Sequence, residues 1–426
     1  MSARSDITRP IMELDAKLQE PESKIQERQP VRRLPLLVGL LAVLLVVGAI
    51  QVYRSPWFHD RRLRRMGVAE LQQWTAHHPD DAPAHLYLGL ARQRSGKLHE
   101  TAEEYVKALD LNPTLNRARS NLAGVLVMSG QTAAAEVILQ QGVRIDPTYA
   151  GFYMGLGQIY EAREDFRRAV TAWEKATALA PGEAVAWFHL GGCWIGLNDE
   201  ARALPAYERA ATLEPLSVDY QKAFAGTLRL RGRYKEAEAH CRRAIQLRPD
   251  DPAAHFELMK VLRDRDGTTP QVEAEIQKAV SLQPGNPQFH YYLATVYQER
   301  TKLQQAGTEY ITALQLYGMN RPRGLSAQWN DWSLWFSYLE GSHFNLARIL
   351  KRLGHPKEAE QELAVYRRLS DYHKSANELY GVIANQPKNA ALRFQLARVH
   401  AKAGFHELAD EQYRAGQRLQ QAERGR

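Results

Sequence analysis

The amino-acid sequence predicts an all-α protein, a solenoid of repeated helix-turn-helix units preceded by a single transmembrane helix. Three observations carry this. Pro79, Pro113, Pro147, Pro181, Pro215 and Pro249 follow one another at intervals of 34 residues, and Pro284 comes after 35. Within each interval apolar residues recur at helical spacing along two stretches of about a dozen residues. Ahead of them lies a segment with no charged side chain, residues 34–53, reading LPLLVGLLAVLLVVGAIQVY. Two short amphipathic helices cannot bury their apolar stripes alone, so a period of this length implies units stacked on their neighbours.

Residues 1–33 are rich in Glu, Gln, Arg and Pro and read as a disordered tail with a short helix at 11–18. The apolar run that follows is 20 residues long, and at about 1.5 Å per residue it spans roughly 30 Å, the hydrocarbon thickness of a bilayer. Arg32, Arg33 and Arg54 close its ends, and Tyr53, Trp57 and Phe58 supply interfacial aromatic rings. A cleaved signal peptide would carry a shorter basic leader than this mixed-charge tail. An uncleaved anchor is therefore expected.

Residues 54–79 form a basic juxtamembrane segment, with Arg54, Arg61, Arg62, Arg64 and Arg65, and a leading helix at 61–76 that covers the first repeat. The basic residues on the two flanks of the span nearly tie. The short tail and large C-terminal part favour a single-pass protein of the bacterial inner membrane with its repeats in the periplasm. Arginine outnumbers lysine and no N-glycosylation acceptor occurs, which also leans towards a bacterial protein.

Seven consecutive repeats fill 80–318. The fourth period reads Trp187, Leu190, Gly191, Trp194, then Ala203, Tyr207, Ala210 and Pro215, and the third reads Tyr153, Leu156, Gly157, Tyr160, Ala169, Trp173, Ala176 and Pro181. This resembles the tetratricopeptide-repeat (TPR) pattern. The resemblance covers about 80–422 and implies a right-handed superhelical solenoid. Small residues stand where the two helices of a repeat must cross: Gly89, Ala123, Gly157, Gly191 and Ala225 in the first, Ala135, Ala169, Ala203 and Ala237 in the second. Gly96, Gly130, Gly232, Gly354 and Gly404, with Asn198 in the fourth period, fall where the first helix needs a left-handed cap. Gly267-Thr-Thr-Pro270 stretches the turn of the sixth repeat. The register breaks after Gly318. A Trp-rich inserted helix is expected at 319–338 and TPR-like repeats at 339–422, with a further helix near 375–384.

Composition narrows the function. Apolar content of 44% and charge of 24% are ordinary for folded protein. The net charge of +8 is concentrated in the arginines beside the span, so nucleic acid is not an expected partner. Cys193 and Cys241, the two cysteines, lack ligand or disulfide spacing and read as small core residues. No phosphate loop, nucleophile elbow, metal-protease motif or cysteine-base pair is present, so neither catalysis, cofactor, metal nor small-molecule substrate is expected. The histidines at helix starts, such as His77, His78, His85 and His255, read as solvated or packing residues.

The resemblance implies that partners dock on the first helices. The corresponding positions are Leu86 and Leu90, Ser120 and Val127, Met154 and Gln158, Phe188 and Ile195, Lys222 and Arg229, then Phe256, Lys260 and Arg263, and Tyr291, Thr295 and Gln298. A peptide with apolar side chains and some acidic character would complement them. The two-carboxylate clamp of chaperone-binding members is not expected. Asn121 occupies its middle position, but Leu86, Leu90 and Gly151 replace its other polar residues. Trp329, Trp332, Trp335 and Phe336 lie on one helical face of the insert, either as an aromatic contact patch or as its packing side. The expected function is a membrane-tethered scaffold for protein or peptide partners. The alternative is a structural or assembly subunit of an envelope enzyme, secretion or cytochrome-maturation complex.

Overall fold

A computed structural model describes residues 56–319 and 329–424. The expected tail at 1–33, the apolar run at 34–53 and the segment 320–328 lie outside these. The described residues form 20 α-helices and no strand, and none of these helices is long and apolar enough to cross a membrane. The chain divides into two compact units, 1–118 and 119–426.

In the first unit, α1 (Pro56–Leu63) and α2 (Val68–His77) precede the pair α3 (Ala82–Arg94) and α4 (Leu98–Leu111). The leading helix expected at 61–76 is thus two helices, broken around Gly67, whose N–H is capped by Glu70 Oε2 at 2.8 Å. Leu63 and Leu71 are buried against Ala84, Tyr87 and Leu88 of α3. Tyr87 ties the join together, its hydroxyl donating to Asp60 at 2.5 Å and accepting from Arg64 Nε at 2.8 Å. Asp81 caps α3 through the Ala84 N–H and accepts from the Trp74 indole at 2.8 Å.

Further pairs follow: α5 (Asn116–Met128) with α6 (Thr132–Ile145), α7 (Ala150–Ala162) with α8 (Phe166–Leu179), and α9 (Ala184–Gly196) with α10 (Glu200–Leu213). Then come α11 (Val218–Leu230) with α12 (Tyr234–Leu247), α13 (Pro252–Asp266) with α14 (Pro270–Leu282), and α15 (Pro287–Glu299) with α16 (Leu303–Met319). The first five repeats each close on a complementary contact of a small with a larger residue. A Cβ on Gly157 would lie 2.6 Å from the Trp173 ring, one on Gly191 2.9 Å from Tyr207, and one on Gly89 2.5 Å from Tyr105. At the same register the second repeat has Ala123 with Leu139 and the fifth Ala225 with Cys241, all buried. Small and large trade volume within the pair, so the helix separation stays compatible with close packing. Cys241 therefore fills the slot taken elsewhere by an aromatic ring. Burial pushes both cysteine thiols up to about 12, which makes them inert packing groups.

The turn after each first helix holds one left-handed residue. The five expected glycines and Asn198 all have positive φ. Glu164 and Thr301, at φ 57° and 60°, occupy the same slot in the third and seventh repeats without a glycine.

Beyond α16 the pattern changes length. The expected insert and the first helix of the eighth repeat are one continuous 24-residue helix, α17 (Trp329–Arg352). The following helix, α18 (Pro356–Asn385), runs 30 residues and absorbs the helix expected near 375–384. The last pair is α19 (Ala390–Ala403) and α20 (His406–Arg424). Phe336, Leu369, Tyr372, Ala376, Ile383, Leu396 and Leu408 form a separate core at this end. His400 lies within it, fully buried between the hydroxyls of Tyr372 at 2.8 Å and Tyr380 at 3.3 Å. Burial pushes its pKa down to about 4, so the ring stays neutral, accepting from one tyrosine and donating to the other.

The crossing contact makes a quantitative prediction. Gly157→Ala gains about 1 kcal/mol of helix propensity but overpacks against Trp173, at a cost of about 1–3 kcal/mol. Net destabilisation is expected in urea unfolding. Adding Trp173→Leu, which recreates the Ala123–Leu139 pair, should give a double variant more stable than the sum of the two single changes. Strict additivity would show that the two side chains do not share one volume.

Candidate functional site

The candidate surface is the strip of first helices in the second unit. Met154, Phe188 and Ile195 on α7 and α9 are half-buried and Gln158 is exposed. Phe188 leans towards the next repeat, its ring 4.9 Å from Tyr220 and 5.7 Å from Tyr207. Further along, Phe256 is buried, 5.0 Å from Phe289 and 4.9 Å from Tyr292, and makes inter-repeat packing. In the first unit Leu86 is buried and Leu90 packs beside the core formed with α1 and α2. Leu86 and Phe256 are thus core residues in place, and Phe256 is covered by Phe289 and Tyr292 of the next repeat's first helix.

The cations on the strip are not open charges. Lys222 Nζ reaches Asp251 Oδ2 at 2.8 Å and Asp219 at 3.0 Å. Asp251 is also the cap of α13, accepting from the N–H groups of Ala253 and Ala254. Its carboxyl is held below the usual range by Lys222 and these amides, against the opposing effect of burial. Arg229 pairs with Asp264 at 2.6 Å, and Lys260 pairs with Glu257 at 2.5 Å while sitting 4.9 Å over the Phe256 ring. Arg263 stacks 5.3 Å over Tyr292. Two of these pairs join α11 to α13, so their first job is to hold adjacent repeats in register. Met154, Gln158, Phe188 and Ile195 leave an apolar, near-neutral stretch.

The strip ends under α17. Tyr291 is half-buried and packs on Tyr338 and Tyr310, with ring centroids 5.2 and 5.8 Å apart. A Cβ on Gly341 would lie 2.9 Å from its hydroxyl. Gln288 donates to the Tyr338 hydroxyl at 2.6 Å, and Gln298 accepts from Tyr310 at 3.2 Å. Tyr291 and Gln298 are therefore engaged by their own chain. Phe336 is fully buried against Tyr372 at 5.0 Å and Phe405 at 5.1 Å, so it is core and not part of an exposed patch. Its neighbour Trp335 is half-buried, 4.8 Å from Phe336. Trp329 and Trp332 belong to the start of α17, and their side chains lie outside the described residues.

One recurring arrangement was not anticipated from the sequence. Six residues after Pro79, Pro147, Pro181, Pro215, Pro249 and Pro284, a side chain reaches back to that proline's carbonyl oxygen. His85 does so at 3.1 Å, Tyr153 at 3.1 Å, Trp187 at 3.1 Å, Gln221 at 3.2 Å, His255 at 3.2 Å and His290 at 2.8 Å. The carbonyl lies one residue past the C-cap of the preceding helix, beyond the reach of the helix's own hydrogen bonds. The histidines use their other nitrogen on the second helix of the repeat: His85 with Glu104 at 2.6 Å, His255 with Glu275 at 2.7 Å and His290 with Glu309 at 2.6 Å. The 34-residue spacing of the position was the available signal, hidden because four residue types fill it.

With this geometry in view, comparison with known proteins is consistent with the repeat pattern. A tetratricopeptide-repeat family model matches residues 154–213 and 195–252, which supports the TPR reading of these helices. Human protein O-mannosyl-transferase TMTC1 is 29% identical over 180 residues, 41% of this chain and 20% of that protein. A tetratricopeptide repeat-containing protein of Caenorhabditis elegans, trd-1, is 23% identical over 170 residues, 38% of this chain and 21% of that protein. The chain thus spans about a fifth of the length of these relatives. Among solved structures, a tetratricopeptide repeat protein from Parabacteroides merdae superposes with a TM-score of 0.46 at 14% identity, covering 61% of this chain and 98% of its own. YrrB, described as a TPR protein with an unusual peptide-binding site, gives 0.40 at 22% identity over 43% of this chain and 94% of its own.

The histidine clamp predicts a pH dependence. The Glu309 carboxylate and the Pro284 carbonyl raise the His290 pKa against the opposing effect of burial. Its folded value therefore exceeds the unfolded one. The resulting stability is complete below about pH 6.5 and is lost as pH rises through the folded value. His290→Gln places the residue of the fifth repeat in this slot and keeps the bond to the carbonyl. Its thermal midpoint should fall less than that of the wild type between pH 6 and 9. Parallel pH profiles would refute the assignment.

Proposed function

We propose that this chain is a membrane-tethered, non-catalytic scaffold that holds a partner protein or peptide against its first-helix strip. The observation that carries the reading is the run Met154, Gln158, Phe188 and Ile195. These are accessible or half-accessible side chains on consecutive first helices, beside cations already neutralised by their own chain. Such a surface favours an apolar segment of low charge, since an acidic ligand would have to compete with Asp251, Asp264 and Glu257 for the same cations. This replaces the acidic peptide expected from residue types alone.

The tether is residues 34–53, proposed on their length and lack of charge. Placement in a bacterial inner membrane with the repeats in the periplasm remains part of the proposal and rests on the sequence. A second reading, as a fixed assembly subunit of an envelope complex, differs in stoichiometry. It requires a partner that co-purifies in constant ratio and does not exchange.

The test is affinity capture from detergent-solubilised native membranes with the full chain, compared with Met154→Asp, Ile195→Asp. The double variant must match the wild-type circular dichroism spectrum. A partner captured by the wild type and reduced at least tenfold in the variant supports the strip. Equal capture by both would move the binding site off these helices.

A further inference from the structure

Outside the strip, a cleft of about 320 Å³ opens beside α3. It is lined by Arg64 and Met66 from the turn after α1, by Tyr87, Leu90 and Arg94 of α3, and by Arg117 at the start of α5. We propose that this cleft binds a phosphate monoester. The proposal depends on neither the tether nor the strip.

The geometry is built on one phenol. Tyr87 is buried, and its hydroxyl donates its proton to Asp60 at 2.5 Å. The same oxygen accepts from Arg64 Nε at 2.8 Å and from Arg117 Nη1 at 3.3 Å. Two guanidinium groups are thereby held against one neutral oxygen, and that of Arg117 also lies 5.6 Å over the Tyr87 ring. Arg94 reaches the cleft from the last turn of α3. All three arginines are exposed. Asp60, at the edge, pairs with Arg64 at 2.8 Å. Arg94 and Arg117 form no ion pair among the described residues, and none of the described carboxylates lines the cleft. Three positive charges thus have one negative neighbour, already taken by Arg64. Holding like charges together costs free energy unless an anion joins them.

Charge and donor supply select among anions. A carboxylate or a phosphodiester brings a single negative charge, whereas a phosphate monoester carries about −1.5 to −2 at pH 7 and offers three acceptor oxygens. The two guanidinium groups without a carboxylate match that charge. Their planar forks bind phosphate oxygens in pairs. Arg117 spends one donor on Tyr87, and Arg94 spends none on a described residue. Met66 and Leu90, both half-buried, set apolar surface beside the guanidinium groups, where the carbon side of an ester packs. The cleft is at the small end of the range of ligand sites, about 300–1,000 Å³. It therefore encloses the phosphoryl group and the first carbon atoms, and the rest of the carrier stays outside.

The experiment titrates the full chain in neutral detergent by calorimetry. The probes are a short uncharged peptide bearing phosphoserine, the same peptide with glutamate in its place, glycerol 3-phosphate and the diester dimethyl phosphate. At least one monoester should bind about tenfold or more tighter than dimethyl phosphate and the glutamate peptide. Tighter binding of the phosphopeptide identifies a protein side chain as the carrier, and tighter binding of glycerol 3-phosphate a small molecule. Arg94→Gln, Arg117→Gln should weaken the binding about tenfold or more. Arg94→Lys, Arg117→Lys should fall between that variant and the wild type, since the charge stays and the fork is lost. A control, Arg167→Gln, Arg209→Gln, removes the same charge from exposed positions elsewhere and should bind like the wild type. Each variant is to match the wild type in circular dichroism and thermal midpoint. If the loss of Arg117 loosens Tyr87 and lowers the midpoint, Arg94→Gln alone carries the test, because no hydrogen bond or ion pair within the described residues depends on it. Failure of both monoesters to bind, equal affinity for the diester or the glutamate peptide, wild-type binding by Arg94→Gln, or equal loss in the control each overturns the site.

Discussion

In the first five repeats the two helices lie side by side because the first of them carries a glycine or an alanine where they cross. That steric constraint underlies the remaining architecture. In three repeats the yielding residue is a glycine, and an aromatic ring from the partner helix fills the vacated volume: Gly89 with Tyr105, Gly157 with Trp173 and Gly191 with Tyr207. Because the ring occupies the space of the missing methyl group, the pair cannot slide without either a clash or a void. With each hairpin so fixed, the apolar faces of neighbouring repeats become complementary, and the core around Phe152, Trp173, Phe224, Phe256 and Tyr310 runs on from one repeat to the next.

The crossing residues were legible in the sequence because their chemistry is narrow. A small residue stands there in the first five repeats, so Gly157 and Gly191 recur at the interval of the prolines. The left-handed turns were half legible. Gly96 and Gly232 announce themselves, whereas Glu164 and Thr301 adopt the same backbone angle through tertiary constraint and carry no local signal. The proline-carbonyl donors were illegible for the opposite reason. The position asks only for a polar hydrogen at the right reach, and His85, Tyr153, Trp187 and Gln221 all provide one.

The candidate surface was legible as a set of positions and not as a set of exposures. Leu86 and Phe256 sit where the repeat pattern places contact residues, yet both are buried. Lys222 and Arg229 read as free cations until Asp251 and Asp264, 29 and 35 residues away, are brought against them. The break after Gly318 was visible as lost register. What replaced it, two long helices with their own core around Phe336 and Tyr372, depends on pairings that no period records.

The variety at the carbonyl-donor position has a consequence for how the chain reaches its native arrangement. An array of near-identical units can pair any first helix with any second helix, and its wrong alignments cost little. Here four hairpins carry a polar contact between their two helices, an imidazole with a glutamate in the first, sixth and seventh repeats and an amide facing His240 in the fifth, while Tyr153 and Trp187 reach only the carbonyl ahead of their own helix. Exchanging partners between the sixth and fifth repeats would set His255 against His240 and leave Glu275 without its imidazole. Divergence of the units thus penalises a mispairing between the fifth and sixth repeats, a discrimination that a perfect repeat would lack.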